Sequence, residues 1–200
     1  MSKSRRLILG SSSIYRKELL ERFGVPFQCV SPDIDESPRT GEAPNALVRR
    51  LSESKAEAVA GQTVDSIVIG SDEVAVLDGQ IVGKPGTHQR AVAQLRASSG
   101  KSVTFITGLC VLDSVSGERH IDSVEVEVGF KELDDLTIEA YLHRDKPYSC
   151  AGSIRAEGAG SAILRYIRTD DPSALIGLPL IRLSEMLASL GFDVLSTRVE

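Results

Sequence analysis

The stretch that most constrains the fold of this chain lies at positions 6–23, where a short apolar run passes directly into a helical pattern. The run RLILG predicts a short buried strand. Residues 13–23 predict a helix, with serine capping its start and Gly24 placed to end it. Because a strand that feeds a helix is the opening unit of an α/β fold, this stretch already indicates the fold class.

Apolar periodicity along the rest of the chain alternates between helix and strand. Further helices are predicted over residues 45–60, 87–98, 134–144 and 180–190. Strands are predicted at VPFQCV, SIVIG, the two halves of EVAVLDGQIVG, and two long runs between residues 103 and 130. The Asp78-Gly79 dipeptide favours a tight hairpin turn, so the chain direction reverses there. The pattern predicts a mixed-sheet α/β protein in a single domain over residues 1–200, with hairpins building a second lobe.

Composition excludes several classes of function. With a net charge of −5, the chain has no net positive field to gather the phosphates of a nucleic acid polymer. No apolar stretch approaches the length of a membrane span, and too few apolar residues follow the basic N-terminus for a signal peptide. The cysteines have no CxxC spacing and the histidines are scattered, so neither a disulfide framework nor a zinc site is predicted. We therefore expect a cytoplasmic protein.

Four polar segments stand where predicted strands end, which is where open α/β sheets tend to present ligands. They are SSSIYRK, DIDES, GSDEV with VGKP, and GSIRAEGAG. In the first, serine hydroxyls and helix N-terminal N–H groups can hold phosphate, and Arg16 can add a charged hydrogen bond. Simple serine capping beside solvated basic residues is the alternative. In the second, Asp33, Asp35 and Glu36 can supply oxygen ligands to Mg²⁺ or stay solvated as ordinary loop acids.

The third segment carries adjacent acids. Asp72 and Glu73 directly follow an apolar strand, so at least one carboxylate is expected at a sheet end, where it can hold a metal ion or activate water. The hairpin turn can bring Lys84 back near them. Lys55 lies on an apolar helical stripe, so its ammonium must either reach water or meet an anion.

In the fourth segment, Arg155 and Glu157 are predicted to alternate along a strand, while neighbouring glycines let the backbone approach a ligand closely. A glycine-rich turn region is the alternative. Taken together, acids for a divalent cation and scattered Arg and Lys residues for phosphate predict an enzyme that acts on a nucleotide or another phosphorylated small molecule.

The chain also resembles the Maf family of nucleotide pyrophosphatases along nearly its whole length. The segments that carry the resemblance, in order, are LILGSSSIYRKELL, DIDESP, ESKA, IVIGSDEVAVLDGQIVGKP, VTFITGL, CAGSIRAEGAG and LIGLPL. The resemblance implies an elongated mixed sheet with flanking helices, and two lobes around a deep cleft. It also implies hydrolysis of a nucleoside triphosphate between its α and β phosphates, with a divalent cation, Mg²⁺ or Mn²⁺, as cofactor.

Roles for individual residues follow from the same resemblance. Asp72 becomes the proton acceptor that activates water, and it holds the metal ion together with Glu36. The positions expected to bind phosphates are Ser11, Arg16, Lys55 and Lys84. Lys84 is grouped with Asp72 in the catalytic set, because positive charge stabilises the leaving pyrophosphate.

Three positions resemble one branch of the family in particular. Tyr15, Glu73 and Glu157 stand where the dTTP/UTP branch carries arginine, threonine and glutamine. An aromatic residue at the first position and glutamate at the third look like the branch that acts on 7-methyl-GTP. Its base is positively charged, so Tyr15 could stack on it and carboxylates could bind its N–H edge. That branch is expected to carry glutamine where this chain has Glu73, and Ile14 replaces the usual proline after the serines.

Other functions stay open on the sequence. One is a pyrophosphatase for dTTP, UTP or another modified nucleotide. A second is a non-enzymatic, nucleotide-binding regulator of cell division, and a third is a nucleotidyltransferase. The expected partner is a small-molecule nucleotide rather than a nucleic acid polymer or a membrane, and the family is compatible with a homodimer.

Overall fold

The computed structural model describes residues 5–196, and within that range seven strands form one mixed sheet with helices packed against it. The strands are β1 (Arg6–Gly10), β2 (Phe27–Cys29), β3 (Ser66–Leu77), β4 (Gln80–Val82), β5 (Ser102–Asp113), β6 (Arg119–Phe130) and β7 (Leu164–Arg168). The α-helices are α1 (Ile14–Glu21), α2 (Pro44–Ala60), α3 (His88–Ser98), α4 (Asp135–Asp145) and α5 (Leu180–Ser189). Short 3₁₀ segments lie at Ala151–Ser153, Ala159–Ile163 and Pro172–Ile176. The predicted α/β class is confirmed.

The sheet has the strand order β2-β1-β3-β5-β6-β7, and β4 pairs with β3. β1 is parallel to β2 and β3, whereas the other pairs are antiparallel. One edge of β3 pairs with β5 along most of its length. On the other edge, β1 ends at the pair Gly10–Gly70, and β4 pairs only from Ala75 onward. Residues 71–74 therefore lie in a gap between β1 and β4, and this gap opens the sheet in its middle.

One face of β3 and β5, which are each 12 residues long, packs into two apolar cores, and the other face packs against α2. The first core packs the N-terminal half of β3 against β1, α1 and α5, with Ile69 and Leu187 fully buried. The second packs the other half of β3 against β5, α3 and α4, with Phe105 and Leu142 buried. Each core belongs to one lobe, so the predicted elongated sheet with two lobes is confirmed. A single domain over residues 1–200 stays a prediction.

Local sequence signals set several of these elements. The hydroxyl of Ser13 accepts a hydrogen bond from the backbone N–H of Arg16 and so caps α1. Asp78 and Gly79 have φ values of 50° and 77°, as a tight hairpin turn of this kind requires. The four later helices are found close to their predicted boundaries. Within residues 5–196, no helix is both long and apolar enough to cross a lipid bilayer.

One predicted strand boundary is wrong. Asp72 and Glu73 do not follow a strand end, because β3 runs without interruption from Ser66 to Leu77. β5 pairs with β3 on both sides of the two acids and keeps the chain extended there. The carboxylates therefore extend from the middle of a strand, at the gap between β1 and β4.

A second strand prediction is also wrong. Arg155 and Glu157 do not alternate along a strand, because the chain from 151 to 163 forms 3₁₀ segments and turns. Gly152 and Ser153 have φ values of 61° and 58°, which turn the backbone out of an extended path. The glycine-rich turn region considered as the alternative is what the structure contains.

Candidate active site

A cleft of about 340 Å³ lies at the gap in the edge of β3 and draws its walls from both lobes. Every residue to which the family resemblance gives a role lines this cleft, namely Ser11, Tyr15, Arg16, Glu36, Lys55, Asp72, Glu73, Lys84 and Glu157. These side chains come from α1, α2, β3 and four connecting segments that are far apart in sequence. The fold therefore gathers them into one place, whereas their individual roles stay predictions.

Lys55 of α2 holds the charged part of the cleft together. Its Nζ donates to Oδ1 of Asp72 at 2.6 Å and lies 2.7 Å from Oε1 of Glu36. The Lys55 side chain is 6% exposed and that of Asp72 is 12% exposed, whereas that of Glu36 is 55% exposed. The lysine predicted on an apolar stripe therefore meets anions rather than water.

Two glycines let α2 come close enough to place Lys55 over β3. A Cβ on Gly70 would overlap the backbone carbonyl of Ser52, and a Cβ on Gly108 would overlap that of Val48. The helix backbone therefore packs directly on β3 and β5, with no side chain between them. This close approach is what brings the ammonium within hydrogen-bond distance of a strand carboxylate.

Glu36 and Asp72 place two carboxylates around one ammonium group. Partial burial pushes the pKa of Glu36 upward, but the hydrogen bond and charge of Lys55 hold that pKa below its usual range. Within residues 5–196, no group of three or more His, Cys, Asp or Glu side chains is arranged to hold a metal ion. Mg²⁺ is commonly held by one or two carboxylates, completed by water and substrate phosphates, so the residues present fit such an ion.

Arg16 faces the cleft from the first turn of α1 and is held by the C-terminal part of the chain. Its Nε donates to the carbonyl oxygen of Gly177 at 2.7 Å, and its Nη1 lies 3.4 Å from Oγ of Ser11. The same carbonyl accepts a hydrogen bond from the hydroxyl of Ser71 at 2.9 Å. These contacts fix the direction of the guanidinium, and a guanidinium beside a serine hydroxyl is suited to bind a phosphate group.

Lys84 lies in the loop after β4 and lines the cleft from the second lobe. Its side chain is exposed and makes no ion pair among residues 5–196. Its charge nevertheless reaches Glu36 and Glu73 and favours the ionised form of both carboxyl groups. An anionic ligand in the cleft could therefore pair with Lys84 without breaking an existing ion pair.

Glu73 lies at the position where the family branch that this chain resembles is expected to carry glutamine. Burial raises the pKa of Glu73 to about 8, against the opposing charge of Arg16. The hydroxyl of Thr107 lies 3.4 Å from its Oε2 and bonds more closely to the carbonyl of Ala174, at 2.8 Å. A carboxyl group that keeps its proton has one donor and one acceptor, as the amide of glutamine does.

Another part of the cleft wall is formed by Tyr15 together with Ser149, Cys150, Ala151, Ile154 and Glu157. The guanidinium carbon of Arg155 lies 5.7 Å from the centroid of the Tyr15 ring, and Nε of Arg155 lies 3.3 Å from Oε1 of Glu157. Burial and the neighbouring Cys150 raise the pKa of Tyr15. A neutral aromatic ring beside a carboxylate is a combination that can hold a flat, positively charged ring.

Some residues depart from what the sequence indicated. Asp33 and Asp35 are exposed and do not line the cleft, and Asp35 accepts a hydrogen bond from the backbone N–H of Ser37 at 2.9 Å instead. Thr107 and Gly177 contact site residues, yet sequence reasoning gave them no role. The signals that could have found them are the motifs VTFITGL and LIGLPL, which contain them.

Comparison with known proteins places this chain in a family. A family model described as Maf-like protein matches residues 6–190. A protein of Nitrosococcus oceani is 51% identical over 94% of this chain and 95% of its own length. Proteins of Pseudomonas savastanoi pv. phaseolicola and Pseudomonas aeruginosa are 54% and 53% identical, each over 94% of this chain and 98% of its own length. All three relatives are named 7-methyl-GTP pyrophosphatase.

Among solved structures, the Staphylococcus aureus Ham1 protein aligns with a TM-score of 0.48 and 13% identity, over 78% of this chain and 90% of that chain. That likeness is too distant for a comparison of sites. The family model spans all but the ends of the chain, and the three relatives are about half identical over nearly their full lengths. The chain belongs to the Maf family.

Proposed function

We propose that this chain hydrolyses 7-methyl-GTP to 7-methyl-GMP and pyrophosphate, as an enzyme that clears modified nucleotides. One observation carries the proposal: a single cleft holds Lys55 with its two carboxylates, and also the ring of Tyr15 and the carboxylate of Glu157, each of which contacts Arg155. The first set suits phosphates and the second suits a cationic base. The names of relatives about half identical to this chain support the same substrate.

Asp72 is proposed as the proton acceptor. A water oxygen attacks the α phosphorus while its proton passes to the carboxylate of Asp72. The bond from the α phosphorus to the oxygen that bridges to the β phosphorus then breaks, and its electron pair leaves with pyrophosphate. The hydrogen bond from Lys55 fixes the direction of the carboxylate before substrate arrives, which lowers the cost of reaching a reactive geometry.

The basic residues are proposed to face the phosphates. Arg16, with the hydroxyl of Ser11, approaches from the lobe that contains α1, Lys55 approaches from α2, and Lys84 approaches from the other lobe. Positive charge on both sides stabilises the negative charge that builds on the leaving pyrophosphate. Lys84 has no ion pair to give up among the residues that the structure describes, which supports its place in the catalytic set.

Glu36 and Asp72 are proposed to hold the divalent cation, Mg²⁺ or Mn²⁺. When bound, such an ion polarises phosphoryl oxygens and neutralises part of their charge. The lowered pKa of Glu36 keeps its carboxylate ionised, and therefore able to act as a ligand, throughout the neutral range. The exposure of Glu36 lets it turn from Lys55 toward an entering cation.

The base is proposed to lie against Tyr15. Methylation at N7 leaves a positive charge on guanine, so the ring of Tyr15 can stack on it through cation–π attraction. The carboxylate of Glu157 can bind the N–H edge of the same base through a charged hydrogen bond. Glu73, whose raised pKa keeps it protonated at neutral pH, can accept from that edge through its carbonyl oxygen. Uracil and thymine carry no such charge, so this wall favours 7-methylguanine over them.

Two finer predictions belong with this proposal. The protein is expected to act in the cytoplasm on a small-molecule nucleotide, without a nucleic acid polymer or a membrane as partner. A homodimer stays a prediction, which equilibrium sedimentation of the purified protein decides.

A substrate panel tests the proposal. Pyrophosphate release is measured from 7-methyl-GTP, GTP, dTTP and UTP, each with Mg²⁺ and with Mn²⁺. We expect kcat/KM for 7-methyl-GTP to exceed the others by about tenfold or more, as one good cation–π contact with an added charged hydrogen bond allows. Far faster hydrolysis of dTTP or UTP would show that the base assignment is wrong. If no nucleotide is hydrolysed, the result would favour the alternative of a non-enzymatic, nucleotide-binding regulator of cell division.

A further inference from the structure

Arg155 contacts two side chains that line the cleft, although it does not line the cleft itself. Its guanidinium carbon lies 5.7 Å from the ring centroid of Tyr15, and its Nε lies 3.3 Å from Oε1 of Glu157. Tyr15 lies in the first turn of α1, whereas Glu157 lies in the turns that follow α4. A single guanidinium therefore links two segments that approach the cleft from different parts of the chain.

The backbone of Arg155 is held by a hydrogen bond to a residue of the second lobe's core. Its N–H donates to the hydroxyl of Tyr141 at 2.8 Å, and the Tyr141 side chain is packed in the core of the second lobe. The Arg155 side chain is 40% exposed, so it lies at the mouth of the cleft rather than in the core. A planar guanidinium on a backbone held in this way can face an aromatic ring and a carboxylate at the same time.

We propose that Arg155 is a positioning residue for base recognition, which holds the ring of Tyr15 and the carboxylate of Glu157 as one unit against the cleft. This inference rests on the proposed function, in which these two side chains contact the base. Tyr15 also has Ser149 and Cys150 as hydrogen-bond partners, whereas Arg155 is the residue that joins Glu157 itself to the Tyr15 ring. Arg155 then acts on selectivity for the base rather than on the chemical step.

A matched control exists on β6 and β7, where β7 forms an edge of the sheet. Arg168 lies over the ring of Tyr166 at 4.2 Å and pairs with Glu127 at 3.4 Å, so it makes the same two kinds of contact. All three residues lie on β6 and β7, and none of them lines the cleft. Arg168→Ala therefore removes an equivalent surface cation without touching the site.

The test compares Arg155→Ala, Arg168→Ala and wild type with 7-methyl-GTP and with GTP, which differs by the N7 methyl group and its charge. For Arg155→Ala we expect KM for 7-methyl-GTP to rise about three- to tenfold, with kcat within about twofold, because a contact of this kind contributes about that much. KM for GTP should change less than about twofold. Arg168→Ala should match wild type with both nucleotides.

Three results would overturn the inference. An equal rise in KM for both nucleotides would make Arg155 a phosphate contact, and a fall in KM would make it a competitor of the base for Tyr15 and Glu157. An unchanged KM for 7-methyl-GTP would mean that Arg155 forms only a surface ion pair with Glu157 and has no part in base recognition. If wild type does not prefer 7-methyl-GTP, the proposed function fails separately. In that case, the role of Arg155 is decided by whether Arg155→Ala reduces the ratio of kcat/KM between the best and the worst nucleotide of the panel.

Discussion

The Nζ of Lys55 donates to Oδ1 of Asp72 at 2.6 Å, with both side chains almost fully withdrawn from water. Burying two charges costs several kcal/mol for each ion, and their mutual attraction often does no more than offset that cost. Stability alone is therefore a weak explanation for this pair. Its place at the gap in β3, facing a cleft with Arg16 and Lys84, fits a carboxylate that is held in position for chemistry.

Asp72→Asn should remove most turnover and leave the fold intact. The amide oxygen can still accept the hydrogen bond from Lys55, but an amide does not take up a proton from water. General base catalysis contributes about 10²–10⁴-fold, so we expect kcat to fall by at least about 10²-fold with KM nearly unchanged. Pyrophosphate release measures both constants. Undiminished turnover in this variant would exclude Asp72 as the proton acceptor.

Lys55→Met should destabilise the protein, because it leaves the carboxylate of Asp72 buried without its cation. Removing one partner of a buried pair costs about 3–5 kcal/mol, which urea unfolding measures directly. The double variant Lys55→Met/Asp72→Asn should recover most of this loss, since it leaves no unpaired charge. If the double variant is as unstable as Lys55→Met, lost packing rather than charge is the cause.

Lys84→Met is the matched control for Lys55→Met, because it also removes a lysine from the cleft. Lys84 is exposed and has no ion pair within residues 5–196. Its free energy of unfolding should stay within about 0.5 kcal/mol of wild type. Its kcat should fall, since a charge facing the pyrophosphate is lost. Equal destabilisation by both variants would contradict the role given to the buried pair.

The sequence was informative where one side chain carries a strong chemical requirement. Lys55 on an apolar stripe needs an anion or water, and this requirement holds whatever the fold. The identity of the anion needed the structure, since the Lys55–Asp72 contact depends on α2 lying directly on the glycines of β3 and β5. The course of β3 through Asp72 was not predictable, because three polar residues after an apolar run resemble a strand end. Only pairing with β5 shows that the strand continues.

Long-range contacts were the least predictable part of the site. The bond from Arg16 to the carbonyl of Gly177 joins residues 161 positions apart, and no local pattern encodes it. The alternation of Arg155 and Glu157 imitates a strand, but the left-handed backbone at Gly152 directs the chain into turns. Contacts through backbone carbonyls and positive φ angles depend on the assembled fold, so composition and periodicity do not reveal them.

Gly177→Ala should impair substrate binding as well as stability. Gly177 has φ 108°, and an added Cβ would lie 3.3 Å from Nε of Arg16 and 3.4 Å from Oε2 of Glu73. The Arg16 side chain must shift slightly, so we expect kcat/KM to fall about tenfold, as small displacements in a site commonly cause. Gly79→Ala is the control, because Gly79 has φ 77° but nothing within 4 Å of an added Cβ. Both variants should lose about 1–2 kcal/mol from backbone strain. Equal activity in the two would contradict the role of Gly177.

Glu42 and Arg50 brace the loop that carries Glu36. Nε and Nη2 of Arg50 bond the two carboxylate oxygens of Glu42 at 2.6 and 2.7 Å, and Nη2 also donates to the carbonyl of Ser37 at 3.2 Å. The two bonds from Arg50 to Glu42, with one from the backbone N–H of Arg39, lower the pKa of Glu42 to about 2. The loop is therefore tied to α2 by a contact that depends on pH.

The sign of that dependence can be tested with Glu42→Gln. The folded-state pKa of about 2 lies below the ordinary value of 4.5, so the ionised Glu42 stabilises the fold at pH values above 4.5. This contribution is lost as the pH falls from 4.5 toward 2. In urea unfolding, Glu42→Gln should be less stable than wild type at neutral pH, and the difference should shrink across that acidic range. Glu18→Gln, which removes an exposed carboxylate of α1, should follow the wild-type pH profile. A deficit in Glu42→Gln that stays constant with pH would mean that packing, and not the charge of Glu42, holds the loop.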